Sequence, residues 1–341
     1  LYRGNDRPQQ AIEQFKEVLR LSPSSAAAYV NMATCYIALG QFSEGQRYWE
    51  EAFKIEPSWI TNGNLNHEYG FTLIHAGNEA KAREVFEKAL AFPDLRPRGL
   101  RSFAYLDLLH GRYHDAKPRL QEALLLDIAR KTALSELREH NLVGMAYEGL
   151  GDRASQLREL DQALPLLSTL QDKIRAGLWL GIPYARNGAV AKAAQILEAM
   201  KPVADFNNPV QASDVHLLEG EVELARGNKD HAIELLLLAD REKSSGLTLV
   251  SLARAYQLAG DTEQAIRWNE VLLAVKHPPF GWEAQQDWIA AHVHLAKLYL
   301  ARGERDKAAA RLNEFFTLWK DADPDLPLLK EAQRLQKEVA R

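Results

Sequence analysis

The sequence predicts an all-α fold built as an array of helix–turn–helix units, and three observations carry that expectation. Eight glycines (Gly40, Gly77, Gly111, Gly151, Gly188, Gly227, Gly260 and Gly303) recur 33 to 43 residues apart over most of the 341-residue chain. Small and aromatic residues keep fixed offsets from those glycines. The apolar pattern is helical throughout, and the period-two alternation of a half-buried strand is absent from the sequence.

The stretch Ala28–Pro57 shows the unit in its most regular form. Tyr29, Met32, Ala33 and Tyr36 fall at i, i+3, i+4 and i+7, which gives the first helix an apolar face. Gly40 ends that helix, because a helix C-terminus favours a left-handed residue and glycine adopts it without strain. Trp49, Ala52 and Phe53 repeat the spacing in the second helix, and Pro57, which cannot donate the next helical bond, stops the unit.

Seven residues before each turn glycine stand Ala33, Gly70, Ala104, Gly144, Gly181, Gly220, Ala253 and Ala296. A small residue there lets another helix backbone pass closely, so Gly144→Leu is expected to overpack the contact at roughly 1–3 kcal/mol. Four residues before the glycines, tyrosine occurs five times, as Tyr36, Tyr147, Tyr184, Tyr256 and Tyr299, with Leu73, Asp107 and Glu223 at the other three places. Pro118 and Pro183 fall inside expected helices, where a kink is anticipated.

With these offsets the chain resembles the tetratricopeptide repeat, a helical hairpin of about 34 residues. The resemblance covers nearly the whole chain and implies a right-handed superhelix, an α–α solenoid, of about eight repeats. It divides a single solenoid over 1–341 into a partial repeat at 1–23 and full repeats at 24–57, 58–93, 94–126, 127–166, 167–203, 204–243, 244–277 and 278–320, with a capping helix at 321–341. The partial repeat shows Ala11, Phe15 and Pro23 in the expected order. The cap is read from Leu326–Val339, where Leu328, Leu329, Ala332, Leu335 and Val339 share one side. The segments Asn62–Asn66, Ala91–Arg98, Asp205–Pro209, Ser244–Gly246 and His277–Gly281 read as connections between units.

A narrower resemblance covers Pro278–Ala332. It is similar to the end of tetratricopeptide arrays that, in certain bacteria, follow a eukaryote-like serine/threonine kinase or a winged-helix DNA-binding domain. That implies a signalling or regulatory domain upstream. LYRGN at the start reads as the last turn of a helix and its glycine stop, so a continuation upstream is expected. The compartment stays open between cytoplasmic and, for a membrane-anchored kinase parent, extracytoplasmic.

Composition excludes several activities. A net charge of −4 gives no overall bias toward nucleic acid or anionic lipid, so direct nucleic-acid binding by this part is not expected. A single cysteine, Cys35, forbids an intramolecular disulfide and reads as a small buried hydrophobe. No apolar run approaches the roughly 20 residues of a membrane-spanning helix. GLGDRA at Gly149–Ala154 fits a loose dinucleotide pattern but follows a helix, so it reads as a repeat turn. His292 and His294 sit two apart on different helix faces, and His110 and His114 straddle Gly111. Neither spacing suits a metal, paired carboxylates such as Glu50–Glu51 read as solvated, and no catalytic constellation or cofactor motif is found.

Function is therefore expected from surface, as a non-catalytic interaction or sensing scaffold. The family resemblance implies that residues six and ten places before each turn glycine line a concave groove. The candidates are His67, Phe71, Arg98, Arg101, Tyr105 and Asn141 in repeats two to four, and Glu221, Arg254 and Lys297 in repeats six to eight. The first group mixes aromatic and cationic side chains, which suits a protein or peptide partner with acidic or carboxylate groups. Val30 and Thr34 stand where the family's carboxylate clamp needs Lys and Asn, so capture of chaperone tails by that mode is disfavoured. Trp282, Trp288 and Trp319 are expected to pack within the last repeat.

Overall fold

The computed structural model describes residues 8–275 and 285–340. LYRGN, the His277–Gly281 connection and Trp282 lie outside the described residues. Among the described residues every regular element is helical. A leading helix, α1 (Pro8–Leu21), precedes eight hairpins. These are α2 (Ala26–Ala38) with α3 (Phe42–Ile55), α4 (Gly63–His75) with α5 (Glu79–Leu90), α6 (Arg96–Leu109) with α7 (Tyr113–Ala129), and α8 (Ala133–Gly149) with α9 (Arg153–Leu167). They continue as α10 (Ile174–Arg186) with α11 (Val190–Met200), α12 (Pro209–Arg226) with α13 (Lys229–Lys243), α14 (Gly246–Ala259) with α15 (Thr262–Ala274), and α16 (Gln285–Ala301) with α17 (Arg305–Leu318). A final helix, α18 (Pro327–Val339), packs on α16 and α17.

All eight turn glycines have positive φ, between 69° and 89°. In each turn the residue after the glycine donates its N–H to the carbonyl of the residue four before it, at 2.7–3.0 Å. That bond closes the helix C-terminus around a left-handed residue. It uses the backbone of the position where tyrosine is frequent, so the side chain there is free to vary. Tyr184 uses its hydroxyl to donate to Asp161 of the preceding hairpin at 2.7 Å, and Tyr299 does the same to Glu270. Asp107 instead accepts from Arg112 at 2.8 Å and from Arg119, and Glu223 accepts from Asn228 and Arg226, both at 2.6 Å. At Asp107 and Glu223 a carboxylate bonded within its own hairpin thus stands where Tyr184 and Tyr299 reach the preceding one.

The chain forms two compact units, Leu1–Phe103 and Ala104–Arg341. In the first, Trp49, Tyr69, Phe71 and Phe86 are fully buried between hairpins, and α1 seats Ala11 and Ile12 near Met32 and Cys35. The core of the second is mainly leucine, alanine and isoleucine and runs continuously from Leu137 to Ala291. First helices are buried on more than one side: α10 buries nine of its thirteen residues, because it lies against its own second helix and its neighbours. The end helix α18 shows only Leu329, Ala332 and Leu335 as buried residues and leaves a polar face outward, as a terminal helix must.

Two sequence expectations need correction. Glu50 is not simply solvated: it accepts from Lys81 at 2.7 Å, from Gln46 at 2.8 Å and from Tyr69 Oη at 3.4 Å, tying α3 to the next hairpin. Gly144 is not a tight contact, since an added Cβ would meet Gln156 Cγ at 3.6 Å, an ordinary separation. The small residue is required instead at Gly181 and Gly220, where a Cβ would crowd Leu218 and Leu236, and the closest approaches are at Gly70 and Gly149, where it would overlap the rings of Phe86 and Tyr113. Pro118 and Pro183 lie inside α7 and α10, where the helical pattern puts them, and Pro165 lies likewise inside α9.

Within the second unit the end of the array returns to its beginning. Trp319, at the end of α17, is buried and donates its indole N–H to the Leu109 carbonyl at 3.2 Å. Asp323 donates its N–H to the Gly111 carbonyl at 3.0 Å and accepts from the His114 N–H at 2.8 Å. Asp325 adds a contact to His114 Nε2 at 3.1 Å. Gly111 is needed here twice, once for its φ of 73° and once because a Cβ would meet Ala322 and Trp319 at 2.6 and 2.8 Å.

Candidate functional site

That closure borders a solvent-accessible cavity of about 220 Å³ in the second unit. Its walls come from first helices and from the returning C-terminal segment. Asn141, Met145 and Glu148 of α8 and Leu178, Ile182 and Arg186 of α10 follow the helical spacing of three and four, so each set projects from one face. Gln286, Asp287 and Ala290 of α16 face them, and Tyr113, Trp179 and Trp319 supply aromatic surface. Pro327 and Leu328 complete the lining.

Charge in the cavity is organised around Arg186. It donates to Glu221 at 2.9 and 3.1 Å and to Asp287 at 3.1 Å. Glu221 is wholly buried and also accepts from Arg254 at 2.9 Å and Ser251 at 2.6 Å. Burial works against both charges. Arg186 and Arg254 nevertheless hold the Glu221 carboxyl below its ordinary range, and Glu221, Asp287 and Glu148 hold Arg186 above its own. This network walls the cavity off from a smaller one of about 90 Å³ that touches Arg254 and His294.

Glu148 behaves differently. Its Oε2 accepts from Gln156 at 3.0 Å, and burial together with the nearby Asp287 charge raises its pKa above the usual carboxylate range. Its surface remains accessible to water although protein surrounds it, as expected for a side chain lining a concave space.

The nine sequence candidates fall into different environments. In the first unit His67 is buried, with Nδ1 2.8 Å from Ser102 Oγ, and its ring packs 4.8 Å from that of Phe71, which has no exposed surface. Burial, with Arg101 and Arg98 nearby, lowers the His67 pKa to about 3. Arg101 is buried and Arg98 half-buried. In the second unit Tyr105 and Asn141 are buried, and Asn141 alone of the nine lines the cavity. Glu221 and Arg254 belong to the buried network behind it, whereas Lys297 lies on the outside and pairs with Glu331 at 3.1 Å. Sequence reasoning missed Glu148, Arg186, Asp287 and Tyr113. The tryptophans are the one signal the sequence offers, and the hydrogen-bond partner of Trp319 stands 210 residues away instead of within the last repeat.

Three segments match family models of the tetratricopeptide repeat, at residues 2–58, 248–280 and 289–314. The chain carries tetratricopeptide repeats. Among solved structures it is similar to human IFIT1, a dimer with m7Gppp-AAAA, at 14% identity over 98% of this chain and 82% of that one, with a TM-score of 0.50. A monomeric IFIT1 mutant with Gppp-AAAA matches at 17% identity over 97% of this chain and 68% of that one, also at 0.50. A tetratricopeptide repeat protein from Parabacteroides merdae matches at 15% identity over 93% and 99% of the two chains, with a TM-score of 0.45. At these identities the likeness to IFIT1 speaks for the repeat fold alone. Among the described residues no helix is long and apolar enough to cross a membrane, and no three His, Cys, Asp or Glu side chains group as metal ligands would.

Proposed function

We propose that this tetratricopeptide-repeat chain is a non-catalytic binding and sensing scaffold, and that its second unit holds a ligand in the cavity beside the returning C-terminus. The supporting observation is the cavity itself: first helices and a returning C-terminus surround aromatic and charged side chains that do not form a nucleophile–base pair. Helical repeat arrays present broad surfaces to partners, and a pocket with few polar groups in apolar walls is the usual form of a ligand site. In the first unit the half-buried Arg98, beside the buried Arg101 and the neutral His67, supports capture of a peptide with acidic or carboxylate groups. In the second unit Asn141 lines the proposed ligand cavity, Glu221 and Arg254 brace it from behind, and Tyr105 and Lys297 lie away from it. The parent is read as a bacterial signalling protein such as a serine/threonine kinase, or alternatively a winged-helix regulator, on the strength of the tail resemblance. The capped RNA held by IFIT1 is not carried over, because Arg186 is already engaged by Glu221 and Asp287 and offers phosphate little free charge.

Panning a peptide library against the full chain tests this reading. Arg98→Glu should abolish capture of acidic peptides while leaving the helical circular dichroism intact, and undiminished capture would remove that groove. Arg101→Glu is the poorer probe, since Arg101 is 4% exposed and the variant would bury a carboxylate.

A further inference from the structure

We infer that the cavity of the second unit takes an organic cation, an alkylammonium or guanidinium group, seated between Glu148 and Asp287 against the aromatic walls. This rests on the reading of the cavity as a ligand site and names the chemistry of its occupant. Two carboxylates, Glu148 and Asp287, line the space against one guanidinium, Arg186. Arg186 is shared with the buried Glu221, which is in turn shared with Arg254. The five groups together carry three negative and two positive formal charges, so the site is one positive charge short.

The deficit falls on Glu148. Among the described residues one donor reaches it, Gln156 on Oε2, and none reaches Oε1. A carboxylate in such surroundings is stabilised by a cation far more than one in water. Burial and, after it, the Asp287 charge raise the Glu148 pKa, and a cation beside it would oppose both. Tyr113, Trp179 and Trp319 add aromatic side chains to the lining, a residue type that attracts cations, and Met145, Leu178 and Leu328 suit an alkyl stem. An anion would meet two carboxylates and an arginine already bonded to Glu221 and Asp287.

Titrating the full chain with n-butylamine, n-butanol, butyrate and a short peptide bearing one lysine, followed by calorimetry and tryptophan fluorescence, tests the assignment. Butylamine or the lysine peptide should saturate while the alcohol and carboxylate do not, and Glu148→Gln should weaken binding by about tenfold or more. Saturation by free butylamine points to a small-molecule cation, and saturation by the peptide alone to a lysine side chain of a protein. Ala290→Leu, which fills the cavity from the α16 wall, should also abolish binding and serves if Glu148→Gln fails to fold. Equal affinity for butanol or butyrate, unchanged affinity in both variants, or no saturation by either amine at millimolar concentration would overturn the inference. Binding of butyrate alone would leave the scaffold reading standing and sink the cation. Butylamine held through Glu148 in a chain that captures no peptide would do the reverse.

Discussion

The indole of Trp319 donates to the carbonyl of Leu109, 3.2 Å away in space and 210 residues away in sequence. The bond is buried, and it lies where the last hairpin meets the turn of the third. Because the cavity wall includes Trp319, Pro327 and Leu328, this contact helps hold that wall against the third hairpin.

Trp319→Ala should destabilise the second unit by about 3–5 kcal/mol, the range for deleting a buried large aromatic. Trp319→Phe keeps most of the packing and loses the hydrogen bond, costing on the order of 1 kcal/mol plus the lost ring area. Urea denaturation of both variants checks the ranking. Equal stabilities for Trp319→Ala and wild type would mean the closure contributes nothing.

Glu221→Ala removes the carboxylate that Arg186, Arg254 and Ser251 share and leaves two arginines facing each other. The expected loss is about 3–5 kcal/mol, as for breaking a buried pair from one side. Glu221→Gln should lose less, since it still accepts from Ser251 and one arginine. Thermal melts at fixed ionic strength distinguish the two.

Glycine substitutions separate the tight contacts from the roomy ones. Gly149→Ala forces a methyl into the Tyr113 ring and should cost roughly 1–3 kcal/mol. Gly144→Ala meets only ordinary contacts and should stabilise its helix by about 0.5–1 kcal/mol. Gly144→Leu reaches past that space and should still be costly. The order of denaturation midpoints, Gly144→Ala above wild type above Gly149→Ala, is the observable.

His67 makes the first unit acid-sensitive. Its folded pKa, about 3, lies below the 6.5 of the free side chain. Between those values the unfolded chain binds a proton that the folded chain refuses, so stability rises with pH in that window. Stability is fully retained above pH 6.5 and falls by up to about 1.4 kcal/mol for each unit below it, levelling off near pH 3. His67→Gln should flatten this slope in denaturation series between pH 7 and pH 5. An unchanged slope would place the acid sensitivity elsewhere.

Much of this architecture is legible in the sequence because its causes are local. The eight turn glycines are identifiable since one backbone bond, from the residue after the glycine to the carbonyl four before it, demands a left-handed conformation in every turn. Gly149–Ala154 could be dismissed as a nucleotide loop on local grounds as well. Burial was harder to read. Phe71 and Glu221 stand at offsets that face a groove in an open array, yet both are wholly buried, because neighbouring helices and, for Glu221, two arginines from other hairpins cover them.

Sequence periodicity alone settles the helices, their turns and the small residues between them, since each depends on neighbours within one or two turns of the chain. The cavity depends instead on where the eighth hairpin comes to rest. Tertiary structure brings Trp319 to Leu109, Asp323 to Gly111 and Asp287 to Arg186. Each of these contacts joins residues about 100 to more than 200 positions apart. The curvature that accumulates over successive hairpins decides them, and no single repeat encodes that sum.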